Sequence, residues 1–231
     1  SIKNYNDVIK KKSNYFKRFD YIINCASNKR YVNYKYNSFY DYDYQIVKKI
    51  VNFKTSYVFL STRKVYKPGN NCLENDKLKP RCNYSKNKLI TEKRLRELIV
   101  NKLLILRISN VIGINKISSK RKLHKTFIDV FFDNIRKDII IDNGRKYKDF
   151  ITSQKLVQIV SKLITQNSVG TFNLSIGKKI YLNDIIQWLN FYNIRKCKTI
   201  KIKNFNFNKD SFYLNNNKIK KITKISPKIK S

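Results

Sequence analysis

Ser56-Tyr57-Val58-Phe59-Leu60-Ser61-Thr62 decides the fold: a short apolar run that ends in two hydroxyls. Such a run leaves no face for solvent, so it reads as a strand buried on both sides of a parallel sheet. Working backward, Tyr21-Ile22-Ile23-Asn24-Cys25-Ala26-Ser27 has the same form and ends in small residues, as a tight βα turn requires. Working forward, Leu103-Leu104-Ile105-Leu106-Arg107 is a third buried run. Between the first two runs, Tyr44, Ile46, Val47, Ile50 and Val51 fall at helical spacing over 43–53. Between the second and third, 84–100 forms a long amphipathic helix. Alternation at these intervals predicts an α/β fold with a Rossmann-like, doubly wound parallel sheet.

Outside this frame the pattern is looser. Residues 1–19 read as a polar, Lys-rich helix. Residues 115–125 read as a basic loop holding Lys116, Lys120, Arg121, Lys122 and Lys125, and 126–137 as a Phe-rich helix. A strand at 138–142 meets a turn at Asn143-Gly144. A helix over 156–164, a strand over 171–174 and a helix over 182–189 follow. The tail from 197 alternates Lys with Ile and Phe and ends in a polar helix or coil.

The 231 residues carry a net charge of +36, with 42% hydrophobic and 13% aromatic residues. That is enough apolar material for a substantial core and excludes a compositionally disordered chain. So large a basic excess is a common footprint of nucleic-acid binding. Here it is spread over the whole length beside many Asn, Ile, Tyr and Phe, a profile that fits AT-rich coding bias better than a dedicated polyanion site. The four cysteines (Cys25, Cys72, Cys82, Cys197) form no CxxC pair and the one histidine is His124, which argues against a metal site and a disulfide framework. No apolar run reaches membrane-spanning length and no signal core is present, so a reducing cytoplasm and no membrane partner are expected. A chain without Met, opening Ser-Ile-Lys-Asn, reads as a piece of a longer product.

Three features stand at the C-terminal ends of successive strands, where open α/β sheets bind ligands. They are the turn Asn24-Cys25-Ala26-Ser27, the hydroxyls Ser61-Thr62, and Tyr84-Ser85-Lys86-Asn87-Lys88. Tyr84 and Lys88 share one helix face. A phenol titrates near 10 and is a poor base at neutral pH; an ammonium one turn away stabilises its phenolate, and a Thr hydroxyl can align the same substrate oxygen. With 16 tyrosines in the chain the Tyr-to-Lys spacing recurs by chance, so its weight comes from position and neighbours.

Those neighbours form a longer pattern. The segment Phe59 to Tyr66, followed by Glu74, Pro80, Tyr84, Lys88 and Glu92, resembles the central signature of the extended short-chain dehydrogenases/reductases, the NAD-dependent epimerase/dehydratase family acting on nucleotide sugars. Leu106-Arg107-Ile108-Ser109-Asn110-Val111-Ile112-Gly113 is similar to the family's LR-x-x-N-x-x-G strand and turn. Lys148-Asp149-Phe150-Ile151 resembles its RDF segment, and Gly170 to Gly177 its G-x-(Y/F)-N-(L/V)-x-x-G strand. The match runs from about 19 to 190.

The resemblance implies roles. Tyr84 is the catalytic acid/base, Lys88 its partner and a ligand of the nicotinamide ribose, and Thr62 the aligning hydroxyl. Cys25, Ala26, Ser27, Ser61 and Ile108, with Tyr84 and Lys88, line NAD or NADP. Asn110, Arg121 and Lys148 face the nucleotide-sugar substrate. It also implies a homodimer at full length, and a division into a partial Rossmann-type domain over 1–113, a substrate-binding insertion over 114–150, a return to the sheet over 151–177 and a small C-terminal α/β substrate-binding part over 178–231. Arg63-Lys64 stands where 4,6-dehydratases carry Asp-Glu, which points to an epimerase or reductase of surface-glycan synthesis. None of the five glycines forms the Gly-rich pyrophosphate turn that opens family members. About 45–60 residues of N-terminal strands and helices are therefore expected to be missing, judged from the size of βαβ units. The alternative is a noncatalytic relative, or a basic nucleic-acid-binding protein on the same scaffold. His124 reads as solvated, and Trp188 with its aromatic neighbours as core.

Overall fold

The strands read from the apolar runs pair in parallel. The computed structural model describes residues 5–113, 146–192 and 211–225, and the chain divides into two units. The first is built from Ser1–Lys67, Lys77–Ile108 and Val160–Asn173, the second from Pro68–Asp76, Ser109–Ile159 and Leu174–Ser231.

In the first unit β1 (Tyr21–Ile23), β2 (Ser56–Thr62) and β3 (Leu103–Ile108) form the sheet with β7 (Gly170–Leu174), in the order β1-β2-β3-β7. β1 pairs parallel with β2 from Tyr21 opposite Ser56, and β2 with β3 from Tyr57 opposite Leu103 to Thr62 opposite Ile108. The long helix α4 (Asn83–Ile99) lies within a residue of its expected span. Its buried residues Asn87, Lys88, Thr91, Glu92, Leu95 and Ile99 recur at three- and four-residue spacing, one stripe of a 3.6-residue helix. Helix α3 (Tyr42–Ile50) begins at Asp41, whose carboxylate accepts from the Tyr44 amide at 3.1 Å. It buries Asp43, Ile46, Val47 and Ile50.

The core joins Phe16, Ile46, Ile50, Leu95 and Ile99 to Tyr57, Phe59, Leu103 and Ile105 of the sheet. Each such side chain taken out of water contributes about 1.5–3 kcal/mol.

One local expectation changes, and two short elements appear where the sequence reading had none. The opening is not one helix: α1 (Tyr5–Ile9) stops, and a 3-10 turn (Ser13–Arg18) follows. Lys12 turns to extended backbone ahead of that turn, and Phe16 within it reaches the core. A short helix α2 (Lys29–Asn33) and a 3-10 turn (Ser38–Tyr40) fill the connection after β1. Asn28 and Asn37 cap them, each accepting from an amide two residues on at 2.8 Å.

The second unit holds two small pairings: β4 (Asn110–Ile112) runs parallel to β6 (Phe150–Thr152), and β5 (Tyr147–Lys148) antiparallel to β8 (Ile180–Tyr181). Buried Asp149 ties its segments together. Oδ1 accepts from the amides of Phe150 (2.8 Å) and Gly177 (3.2 Å), and Oδ2 from that of Leu214 (2.9 Å). The remaining helices are α5 (Ser153–Thr165), α6 (Leu182–Tyr192) and α7 (Asn217–Thr223). On α6 the aromatic residues correct the sequence reading: Trp188 is 53% and Phe191 83% exposed. Leu182 anchors the buried side, and Phe191, nine residues on, projects from the opposite side at 3.6 residues per turn.

Among the described residues no helix is long and apolar enough to cross a membrane. The basic loop with Arg121 and His124, the elements expected over 126–144, and Cys197 lie outside the described residues.

Candidate functional site

Alternation along β2 turns Tyr57, Phe59 and Ser61 to one face, and each meets a different charged group there. Tyr57 Oη donates to Asp43 Oδ1 at 2.7 Å. The Phe59 ring lies 4.5 Å from Lys88 Nζ. Ser61 Oγ donates to Glu92 Oε1 at 2.5 Å. Lys88 and Glu92 are one turn apart on α4, so the strand and the helix are matched residue by residue.

Tyr84, Lys88, Thr62, Ser61, Cys25, Ala26, Ser27 and Ile108 all belong to the first unit. Tyr84, in the first turn of α4, is partly exposed, with Lys64 Nζ 6.0 Å from its ring centroid. The turn Arg63–Val65 that carries Lys64 packs against α4. Thr62 ends β2, and its Oγ1 accepts from the Lys64 amide at 3.3 Å, holding the hydroxyl at the head of that turn. Lys88 is 8% exposed and 3.7 Å from Asp43 Oδ2. Ser61 is buried with its hydroxyl engaged by Glu92, while Ile108 is half-buried at the end of β3.

The turn after β1 is organised by its own asparagine. Asn24 Oδ1 accepts from the Ala26 amide at 2.9 Å, and Nδ2 donates to the Ala26 carbonyl at 3.0 Å. Cys25 and Ala26 line a groove of about 580 Å³ whose other walls include Phe16, Phe19, Ile23 and Ile46. Burial, then the nearby Asp43 charge, pushes the Cys25 thiol up. Small side chains beside an apolar groove leave room for a flat ring next to Cys25 and Ala26.

Asn110 and Lys148 belong to the second unit. Asn110 Nδ2 donates to the Asp149 carbonyl at 3.0 Å, and Lys148 is buried with Nζ 5.9 Å from the Phe212 ring. Arg121 lies outside the described residues.

Two groups at the site carry no role in the sequence reading. One is Asp43 with its donors Tyr57 and Asn24. The available signal was its place in α3, where 43, 46, 47 and 50 form one stripe and a carboxylate among apolar residues has to find a partner. The other is the chain from Ser61 through Glu92 and Arg107 to Tyr66 and Asn173. Burial disfavours the Arg107 charge, but hydrogen bonds and charge from Glu92, with Tyr66, outweigh it and hold the guanidinium above its ordinary value.

No protein-family model matches the sequence, and no curated protein matches it. Solved structures do. A UDP-glucuronic acid 4-epimerase from Bacillus cereus in complex with NAD superposes with a TM-score of 0.77 at 16% identity, over 99% of this chain and 75% of that one. A UDP-N-acetylglucosamine 4-epimerase from Methanobrevibacter ruminantium, in complex with UDP-N-acetylmuramic acid, gives 0.74 at 16% identity over 94% and 74%. An NAD-dependent NDP-hexosamine 5,6-dehydratase of tunicamycin biosynthesis gives 0.73 at 17% identity over 94% and 74%. The chain therefore carries the Rossmann-like α/β fold of these epimerase and dehydratase structures.

Proposed function

We propose that the chain belongs to an NAD(P)-dependent enzyme that epimerises or reduces a nucleotide sugar for glycan synthesis. Tyr84 moves the hydroxyl proton, Lys88 supplies the positive charge that supports its phenolate, and Thr62 aligns the reacting oxygen. Cys25, Ala26, Ser27, Ser61 and Ile108 line the cofactor, while Asn110, Lys148 and Arg121 take the substrate. When bound, the dinucleotide gives or accepts the hydride.

The observation that carries this reading is the shared setting of Tyr84, Lys88 and Thr62. The first two lie one turn apart on α4, and the third ends the strand packed beneath that helix. Lys64, 6.0 Å from the Tyr84 ring, adds a second cation where 4,6-dehydratases carry acidic residues. That supports epimerisation or reduction over dehydration, because a general acid of the dehydratase kind has no counterpart at 63–64. The solved structures of like fold support the substrate class, since their ligands are NAD and UDP-sugars.

Tyr84→Phe in the full-length gene product tests it. The variant is expected to lose turnover of UDP-sugars by about 10²–10⁴-fold, the usual worth of a positioned acid/base, and to keep cofactor affinity. Turnover at the wild-type rate would refute the assignment.

A further inference from the structure

The ammonium of Lys88 is enclosed rather than free. Asp43 Oδ2 stands 3.7 Å from Nζ, the Phe59 ring centroid lies at 4.5 Å and that of Tyr31 at 5.7 Å. Asp43 and Lys88 are both buried. Aromatic faces attract a cation but leave its position soft; a carboxylate at ion-pair distance adds a charge attraction from one side.

The carboxylate is fixed in turn from two other elements. Oδ1 accepts from Tyr57 Oη on β2 at 2.7 Å and from Asn24 Nδ2 after β1 at 3.1 Å. The same Asn24 amide closes the turn to Ala26. Asp43 therefore joins three pieces: the helix carrying Tyr84, the central strand, and the small-residue turn at the groove. Asp41, two residues earlier, is committed elsewhere, because Oδ2 accepts from Thr91 Oγ1 (2.6 Å) and Tyr36 Oη (2.8 Å) and Oδ1 from the Tyr44 amide.

We infer that Asp43 is a positioning residue for Lys88, holding its ammonium in one place and tying that place to the turn Asn24–Ser27. The inference rests on the reading of Tyr84 and Lys88 as the proton-transfer pair. It adds a residue that acts through Lys88 without touching the reacting atoms.

Trace acylation of the 231-residue chain with acetic anhydride, followed lysine by lysine by peptide mass spectrometry, tests it without any turnover. Lys93, exposed on the same helix, is the internal reference. In Asp43→Asn the Lys88/Lys93 ratio is expected to rise about tenfold, since the carboxylate charge that holds Nζ in its enclosed place is gone. Asp43→Glu, which restores a carboxylate, is expected to bring the ratio back toward wild type. An unchanged ratio in a folded Asp43→Asn overturns the inference. Should that variant unfold, Tyr57→Phe decides: it keeps the carboxylate but removes one of the two donors that hold Oδ1, so a ratio raised about two- to threefold supports the inference and an unchanged one overturns it. In the full-length gene product, Asp43→Asn is expected to lower kcat with little change in the KM for the sugar nucleotide. A shifted labelling ratio in a protein that turns over no sugar nucleotide would sink the proposed function and leave the positioning role standing.

Discussion

Arg107 closes a two-pronged contact on Glu92: Nε meets Oε1 at 3.1 Å and Nη2 meets Oε2 at 2.7 Å. Both side chains are almost wholly excluded from water. Two ions taken out of water recover their solvation only through each other and their remaining hydrogen bonds. Here those bonds include Ser61 Oγ on the carboxylate and Tyr66 on the guanidinium, with Tyr66 Oη donating onward to Asn173 Oδ1 at 2.8 Å. Glu92→Gln leaves a buried cation uncompensated and is expected to cost about 3–5 kcal/mol in urea denaturation. The double variant Glu92→Met with Arg107→Met is expected to recover most of that loss. A double variant no more stable than Glu92→Gln would show that the charge is not what the single variant disturbs.

Asp149 gives the second unit an acid-side pH dependence. Burial outweighs its backbone donors and Ser175, and raises the carboxyl from 3.8 to about 6. Between those values the folded chain keeps a proton that the unfolded chain has released. Unfolding free energy contributed by this group therefore falls as pH rises from 4 to 6, by about 3 kcal/mol at most, and is flat above. Melting curves at pH 4.5 and 6.5 are expected to show this slope reduced in Asp149→Asn. A slope equal to that of wild type would assign the dependence to other groups.

The thiols should be modified in a fixed order. Burial opposes the Cys82 thiolate, but hydrogen bonds from Ser85 and the charge of Lys64 outweigh it, so this thiol is held below its ordinary value. Cys25 is raised and Cys72 is buried. With limiting iodoacetamide at pH 7.5, Cys82 is expected to react about three- to tenfold faster than Cys25, with Cys72 last of the three described thiols, as read by peptide mass spectrometry. Equal rates at Cys82 and Cys25 would count against the local electrostatics.

Two glycines in left-handed backbone should differ in their tolerance of a methyl group. Gly177 has φ +72°, and an added Cβ would come within 2.6 Å of the Asn216 side chain. Asn216 cannot yield freely, because its Nδ2 donates to the carbonyls of Ser175 (3.2 Å) and Ile176 (2.6 Å). Gly170, at φ +97°, has open space around it. Gly170→Ala is expected to cost only the backbone strain, about 1–2 kcal/mol, and Gly177→Ala to cost more, measured as the difference in Tm between the two variants.

What the sequence made legible was local. The apolar runs at 21–23, 56–60 and 103–106 announced strands because both faces are buried, and the α4 stripe announced its helix. Tyr84, Lys88 and Thr62 could be singled out because each is fixed by position within one element. The partnership of Asp43 with Lys88 spans 45 positions and that of Glu92 with Ser61 spans 31; no periodicity carries such pairings. Trp188 misled for a related reason: bulk suggests burial, but which side of α6 is covered depends on Leu182 and what it meets.

The single face of β2 formed by Tyr57, Phe59 and Ser61 makes sheet register a condition of chemistry. Each of the three answers to a different charged residue, Asp43, Lys88 and Glu92. A slip of one position against β3 would turn all three away together and present Val58, Leu60 and Thr62 to the helices instead. A misaligned chain would bury two acids and a base against aliphatic carbon, so errors in strand pairing are disfavoured by the same groups that equip the site. Substitutions on this face are accordingly constrained in pairs, strand residue with helix residue, rather than one at a time.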